Sequence, residues 1–231
     1  MSFAILAHRG NTTGPDRRAE NSLPAIGRAL RLGWGLEIDI RRAPDGRFYV
    51  AHDPVGFASA APADGVCALL RAHPRALVAL NIKELGDEAA LIDYLDTQGV
   101  LPQCCLFDME LLEATPGATA LAFRALHPTV ALAARVSDRG ESIAQALAID
   151  VAQTIWLDEF DGPWATRDDV DRLKAAGRRV WMVSPDLHGA TLQATRRRWR
   201  EVLTWGLDGI CTDYAEALEH DIETQFRRVT A

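Results

Sequence analysis

Long hydrophobic runs are missing from this chain: no stretch approaches the ~18–20 apolar residues that cross a bilayer, so no membrane-spanning helix is expected. An excess of basic residues is missing too. The formal net charge is −7, and no long basic run offsets it, which excludes an extended nucleic-acid surface. Arg196, Arg197, Arg198 and Arg200 do cluster, but together with Trp199 they follow a helical pattern and read as a solvated helix face. Cysteines are few, and Cys67, Cys104, Cys105 and Cys211 show no metal-ligand spacing. Adjacent Cys104 and Cys105 point to opposite sides of a strand, so reduced thiols and a cytoplasmic setting are expected. The opening "MSFAILAH" lacks the basic start and small-residue cleavage site of a signal peptide and reads as a first strand. A GxGxxG fingerprint is absent, as is any Pro-, Gly- or Ser-rich linker, so residues 1–231 are expected to form a single domain.

What is present is a row of short apolar runs: "FAILA" at 3–7, "LEIDI" at 36–40, "ALVALNI" at 76–82, "CCLF" at 104–107, "VALAARV" at 130–136, "TIWL" at 154–157, "RVWMVS" at 179–184 and "DGICT" at 208–212. Several are almost continuous in hydrophobicity, as suits strands buried on both faces of a parallel sheet. Helical patterns lie between them. Ser22 is a plausible N-cap, Pro24 sits in the first turn, and Leu23, Ile26 and Leu30 share one face. Thr166 precedes "RDDVDRLKAAG" in the same way, with Val170 and Leu173 facing inward. Gly33, Gly99, Gly177 and Gly206 stand just before the next strand and punctuate repeated αβ loops. Eight strand–helix units point to a (β/α)8 TIM barrel; an open doubly wound sheet, the alternative, usually carries the missing glycine fingerprint.

One interruption matters. "LEIDIRRAPDGRFYVAHDP" holds two strand-like runs joined by a turn on Pro44, Asp45 and Gly46. Strand two should therefore extend into a β-hairpin whose return arm ends at His52 and Asp53. Pairing the ends of "EIDI" and "YVAH" brings Glu37, Asp39 and His52 into one neighbourhood, and alternation puts both carboxylates on one side of their strand.

Barrels concentrate chemistry at the C-terminal ends of their strands. Those ends carry His8 and Arg9 after strand one, Glu37 and Asp39 on strand two, His52 from the hairpin, and Asn81 and Lys83 on strand three. Two same-face carboxylates inside an apolar strand are costly unless a positive charge sits between them. Oxygen ligands suit a hard divalent cation, Mg²⁺ or Ca²⁺, to which Asn81 could add a neutral carbonyl oxygen. Arg9 and Lys83 suit a phosphate, and two histidines suit acid–base work near neutrality. The set describes metal-assisted phosphodiester cleavage.

"AHRG", "EN", "EIDI", "DG", "AHD" and the late "GLDGICTDY" occur in the order seen in glycerophosphodiester phosphodiesterases, which the chain resembles closely over residues 5–53 and more weakly to residue 214. The resemblance implies a (β/α)8 barrel and a phosphoric diester hydrolase with a divalent metal. It implies His8 and His52 as the acid–base pair, Glu37 and Asp39 as metal ligands, Arg9 as the phosphate anchor and Glu20 as a residue framing the site. Lys83 would stabilise oxyanion charge. The expected substrate is a glycerophosphodiester or a related small phosphodiester. In the family a neighbouring hydroxyl is thought to attack phosphorus and water to open the cyclic phosphate. Sphingomyelinase D-like and phosphoinositide phospholipase C-like relatives are thought to stop at the cyclic product, and a non-catalytic phosphate-binding descendant is the third reading.

The sequence departs from the family in two places. The family usually reads "ExK" on strand three, where this chain reads "NIK", so Asn81 replaces a carboxylate ligand and metal affinity or preference should change. Glu84 alternates to the other side of Lys83 and is no substitute. The segment 54–71 is also short where the family commonly carries a larger insertion over the substrate. Later residues have two readings: Trp181 lines the pocket or belongs to the core, Asp213 faces the pocket or caps the last helix, and His188 faces it or lies on the surface. Asp158 and Glu159 also stand at a strand end.

Overall fold

The fold is that of a computed structural model, and the structure describes residues 3–229. In chain order the first elements are β1 (Ala4–His8), α1 (Leu23–Arg31), β2 (Gly35–Arg42), β3 (Phe48–Val50), β4 (Ala61–Pro62), α2 (Ala63–Ala72), β5 (Val78–Ile82) and α3 (Glu88–Thr97). There follow β6 (Cys104–Phe107), α4 (Ala118–Leu126), β7 (Ala131–Ser137), α5 (Ile143–Ala148) and β8 (Thr154–Asp158). The last are α6 (Arg167–Ala175), β9 (Arg179–Val183), α7 (Leu192–Val202), β10 (Gly209–Thr212) and α8 (Ala215–Val229).

Strands run β1-β10-β9-β8-β7-β6-β5-β2, all parallel, and β2 bonds back to β1 to close an eight-stranded barrel. All eight apolar runs of the sequence supply its strands. β3 and β4 lie outside the closure: β3 pairs antiparallel with the end of β2, Ile40 opposite Val50, which is the expected hairpin.

Strand alternation sorts the side chains into two layers. Leu36, Ile38 and Ile40 face the helices with Leu80, Leu106 and Leu132, while Leu6, Ala79, Cys105, Phe107, Trp156 and Trp181 fill the barrel interior. Cys104 and Cys105 fall on opposite sides of β6, as expected, and all four cysteines are buried and free. Full burial of side chains such as Ile38 or Leu106 is worth about 1.5–3 kcal/mol each. Because that apolar filling occupies the barrel floor, the inward polar residues of β2 and β5 are left at the mouth.

Local signals behave as the sequence suggests. Ser22 Oγ accepts from Ala25 N–H at 3.3 Å at the start of α1, and Thr166 and Asp169 form a capping box on α6. Gly10 lets the loop after β1 close on α1: a Cβ there would lie 2.9 Å from the Ala25 carbonyl carbon and the Ile26 nitrogen, and its φ is +81°.

The arginine cluster of α7 is a correction. Arg198 is buried, not solvated, because the helical period puts it on the same face as buried Thr195, Trp199 and Val202. Its Nη2 meets Glu159 Oε1 at 2.6 Å, and Glu159 also accepts from the Trp164 and Ala165 N–H groups. Glu159 is thus spent on structure and does not face the barrel mouth.

Candidate active site

Parallel register brings the sequence-predicted residues level with one another. His8 lies opposite Glu37 across β1 and β2, and Asp39 lies opposite Asn81 across β2 and β5. Ala51 N–H donates to Asp39 O at 3.1 Å, so the hairpin delivers His52 beside Asp39. Arg41 fastens that arm, its Nη2 donating to the His52 carbonyl at 2.6 Å. His8, Arg9, Glu37, Asp39, His52, Asn81 and Lys83 all line one cavity of about 260 Å³ at the C-terminal mouth. Glu20 stands beside it, accepting from Arg9 Nη1 at 3.1 Å.

The arrangement around His8 sets its tautomer. Nδ1 donates to Asp213 Oδ1 at 2.7 Å, which leaves Nε2 toward the cavity, 3.8 Å from Glu37 Oε2. Asp213 is itself held: Asn11 Nδ2 donates to Oδ1 at 2.9 Å, and the Asp213 N–H donates to Asp186 Oδ2 at 2.8 Å. Burial works to lower the His8 pKa, but the Asp213 hydrogen bond and the Glu37 charge outweigh it and hold the value above the ordinary one. Asp213 therefore touches the site through His8 and does not line the cavity.

Asp39 is fully buried between two cations, with Arg9 Nε 3.2 Å from Oδ2 and Lys83 Nζ 3.4 Å from Oδ1. Burial opposes its ionisation, yet Arg9 and Lys83, helped by Asn21 Nδ2 at 2.9 Å, keep its carboxyl below the usual range. Glu37 goes the other way: burial first, then the Asp39 charge, push its carboxyl up. A cation between them would reverse that shift.

The donor set fits a hard cation. Glu37 Oε2, Asp39 Oδ1 and Asn81 Oδ1 are buried oxygens that accept no hydrogen bond. Among the described residues no three His, Cys, Asp or Glu side chains are grouped to hold a metal, so a cation here would rest on two carboxylates and the Asn81 amide oxygen.

The opposite wall holds residues that sequence reasoning left out. Arg135 reaches from β7 to Asp108 at the end of β6 and, through Nη2, to Asp158 Oδ2 at 2.6 Å. Asp158 Oδ1 lies 2.5 Å from His188 Nε2, and the His188 ring packs tilted against Phe160, with centroids 4.6 Å apart. Asp158 and His188 are thus brought to the cavity. The sequence signal for the other two was a lone arginine inside "VALAARV" and an aspartate at the end of "CCLF", neither of which marks its partner. Burial raises the Asp108 carboxyl, with Arg135 and Lys83 pulling it back.

Trp181, like Asp213, is not brought to the cavity lining. It points into the barrel interior below the mouth, 2% exposed, and Val183, two residues on along β9, lines the cavity instead.

Among solved structures the chain is similar to a glycerophosphoryl diester phosphodiesterase from Parabacteroides distasonis ATCC 8503, at 17% identity and TM-score 0.74, over 97% of this chain and 87% of that one. It is similar to an Oleispira antarctica phosphodiesterase in complex with the product sn-glycerol-3-phosphate, at 18% identity and TM-score 0.68, over 95% and 96% of the two chains. A third is a glycerophosphodiester phosphodiesterase from Thermotoga maritima, at 17% identity and TM-score 0.62, over 95% and 98%. No protein-family model matches the chain, and a search of the curated proteins finds no match. Identities this low carry the fold and nothing finer. The barrel implied by the ordered HRG, EN, ExD and HD motifs is the fold of solved glycerophosphodiester phosphodiesterases.

Proposed function

We propose that this protein is a phosphoric diester hydrolase, a metal-dependent phosphodiesterase that converts a glycerophosphodiester, or a related small phosphodiester, to an alcohol and glycerol phosphate. The observation that carries the reading is the cavity itself, where His8, His52, Arg9, Lys83, Glu37, Asp39 and Asn81 meet. A binding site alone would have no use for His8 locked in one tautomer by Asp213. Glu37, Asp39 and Asn81 would hold Mg²⁺ or Ca²⁺, which when bound supplies positive charge to a phosphoryl oxygen.

Arg9 and Lys83 bind and orient the phosphate, Arg9 held in place by Asp39 and Glu20. The substrate hydroxyl beside the phosphoester attacks phosphorus as the bond to the leaving alcohol breaks. One imidazole of His8 and His52 takes the proton of the attacking hydroxyl, and the other gives a proton to the leaving oxygen. Water then opens the cyclic phosphate with the two roles exchanged. Lys83 and Arg9 offset the charge that builds on the phosphoryl oxygens.

The test is release of glycerol phosphate, free or cyclic, from a panel of glycerophosphodiesters with Mg²⁺, Ca²⁺ or EDTA, beside a His8→Ala control. Metal-dependent turnover lost in the control supports the reading. A cyclic product that persists would make the enzyme a lyase, and phosphate binding with no turnover on any diester would make it a binding protein.

A further inference from the structure

An amide at a metal position differs from a carboxylate not only in charge: it also has a wrong way round. Asn81 Nδ2 donates to Asp108 Oδ2 at 2.9 Å, while Asn81 Oδ1 is buried and accepts no hydrogen bond. The reverse orientation would set the amide oxygen against a carboxylate, acceptor against acceptor. Asp108 has no freedom to adapt, because Arg135 Nη1 holds its other oxygen and Arg135 is itself tied to Asp158. Its backbone is in the left-handed region at φ 71°, one residue beyond Phe107, which lies opposite Asn81 across β5 and β6.

We propose that Asp108 is a positioning residue that orients the Asn81 amide, so that its carbonyl oxygen joins Glu37 and Asp39 as the third metal ligand. The inference rests on the metal-dependent reading given above.

Two substitutions separate this role from a merely structural hydrogen bond. In Asp108→Asn the side chain keeps one oxygen, which buried Arg135 takes; its amide then faces position 81 and forces Asn81 to turn its N–H groups toward the metal position. Asparagine tolerates the left-handed backbone as aspartate does. The exchanged pair combines Asn81→Asp with Asp108→Asn. There the new carboxylate at position 81 accepts from the new amide at position 108 and still presents an oxygen to the site.

The experiment is calorimetric titration of the whole protein with Mg²⁺ or Ca²⁺ alone, at pH 8, with Glu37→Gln as a reference for a lost ligand. Asp108→Asn is expected to bind about 10–100-fold more weakly than the wild type, and the exchanged pair to bind at least as tightly as the wild type. Equal affinity of Asp108→Asn and wild type overturns the proposal. So does an exchanged pair weaker than the wild type, an outcome that decides the matter even if the single variant does not fold. A wild type that binds neither metal overturns the metal-dependent reading and this inference with it.

Discussion

Asp213 Oδ1 accepts the Nδ1 proton of His8 at 2.7 Å, joining the last strand of the barrel to the first. The contact fixes which imidazole nitrogen faces the cavity. Asp213→Ala is expected to lower kcat by about 10²–10⁴-fold with little change in KM, since phosphate binding by Arg9 and Lys83 is untouched. Steady-state kinetics on the best diester of the panel checks it, and a change confined to KM would contradict it.

Arg9 spans Asp39 through Nε and Glu20 through Nη1, from a left-handed backbone at φ 52°. A lysine has one ammonium and no fork, so it cannot hold both carboxylates and still present a donor to phosphate. Arg9→Lys is expected to cost about 10–100-fold in kcat/KM, the equivalent of one charged hydrogen bond of about 1.5–3 kcal/mol. Undiminished kcat/KM in this variant would remove Arg9 from phosphate binding.

Glu110 offers a pH prediction away from the proposed ligands. Oε1 accepts the Arg135 N–H at 3.2 Å, Oε2 is buried without a donor, and burial pushes the carboxyl up to about 7. An unfolded glutamate titrates near about 4.3. Between that value and about 7 the folded chain holds a proton that the unfolded chain has lost, so stability falls as pH rises through the window. Glu110→Gln is expected to be more stable than the wild type by about 1–3 kcal/mol at pH 8, with the advantage gone near pH 4. Urea unfolding at the two pH values measures it; the same difference at both would refute the assignment.

Trp181 tests the correction made by the structure. Its indole fills the barrel interior and has no face on the cavity. Trp181→Phe is expected to lower stability by about 1–3 kcal/mol and to leave KM unchanged. Thermal unfolding and KM measured together separate this from a pocket role, for which KM would rise.

The half of the site that was legible in the sequence comes from neighbouring segments. His8, Glu37, Asp39, His52, Asn81 and Lys83 belong to β1, β2, the hairpin and β5 with its end, which pair directly. Period-two alternation says which of their side chains share a face, and the hairpin turn sets the register of His52. Glu20, two residues before the N-cap of α1, came only from the family resemblance, since no strand pairing fixes a residue of that loop.

Alternation could not say how far along the barrel axis a side chain would stand. Trp181 and Val183 share the inward face of β9, and only the stagger of the closed barrel puts one in the floor and the other at the mouth. Pairings between distant segments were closed to the sequence as well: Asp213 with His8, Asp108 with Asn81, and Arg135 between two carboxylates. By itself the sequence determined the eight strands, the hairpin and the facing of their polar residues, because these follow from local periodicity and turn chemistry. Only the tertiary structure decided which buried charges neutralise one another, because that depends on closing the barrel and bringing residues up to 205 positions apart within hydrogen-bond reach.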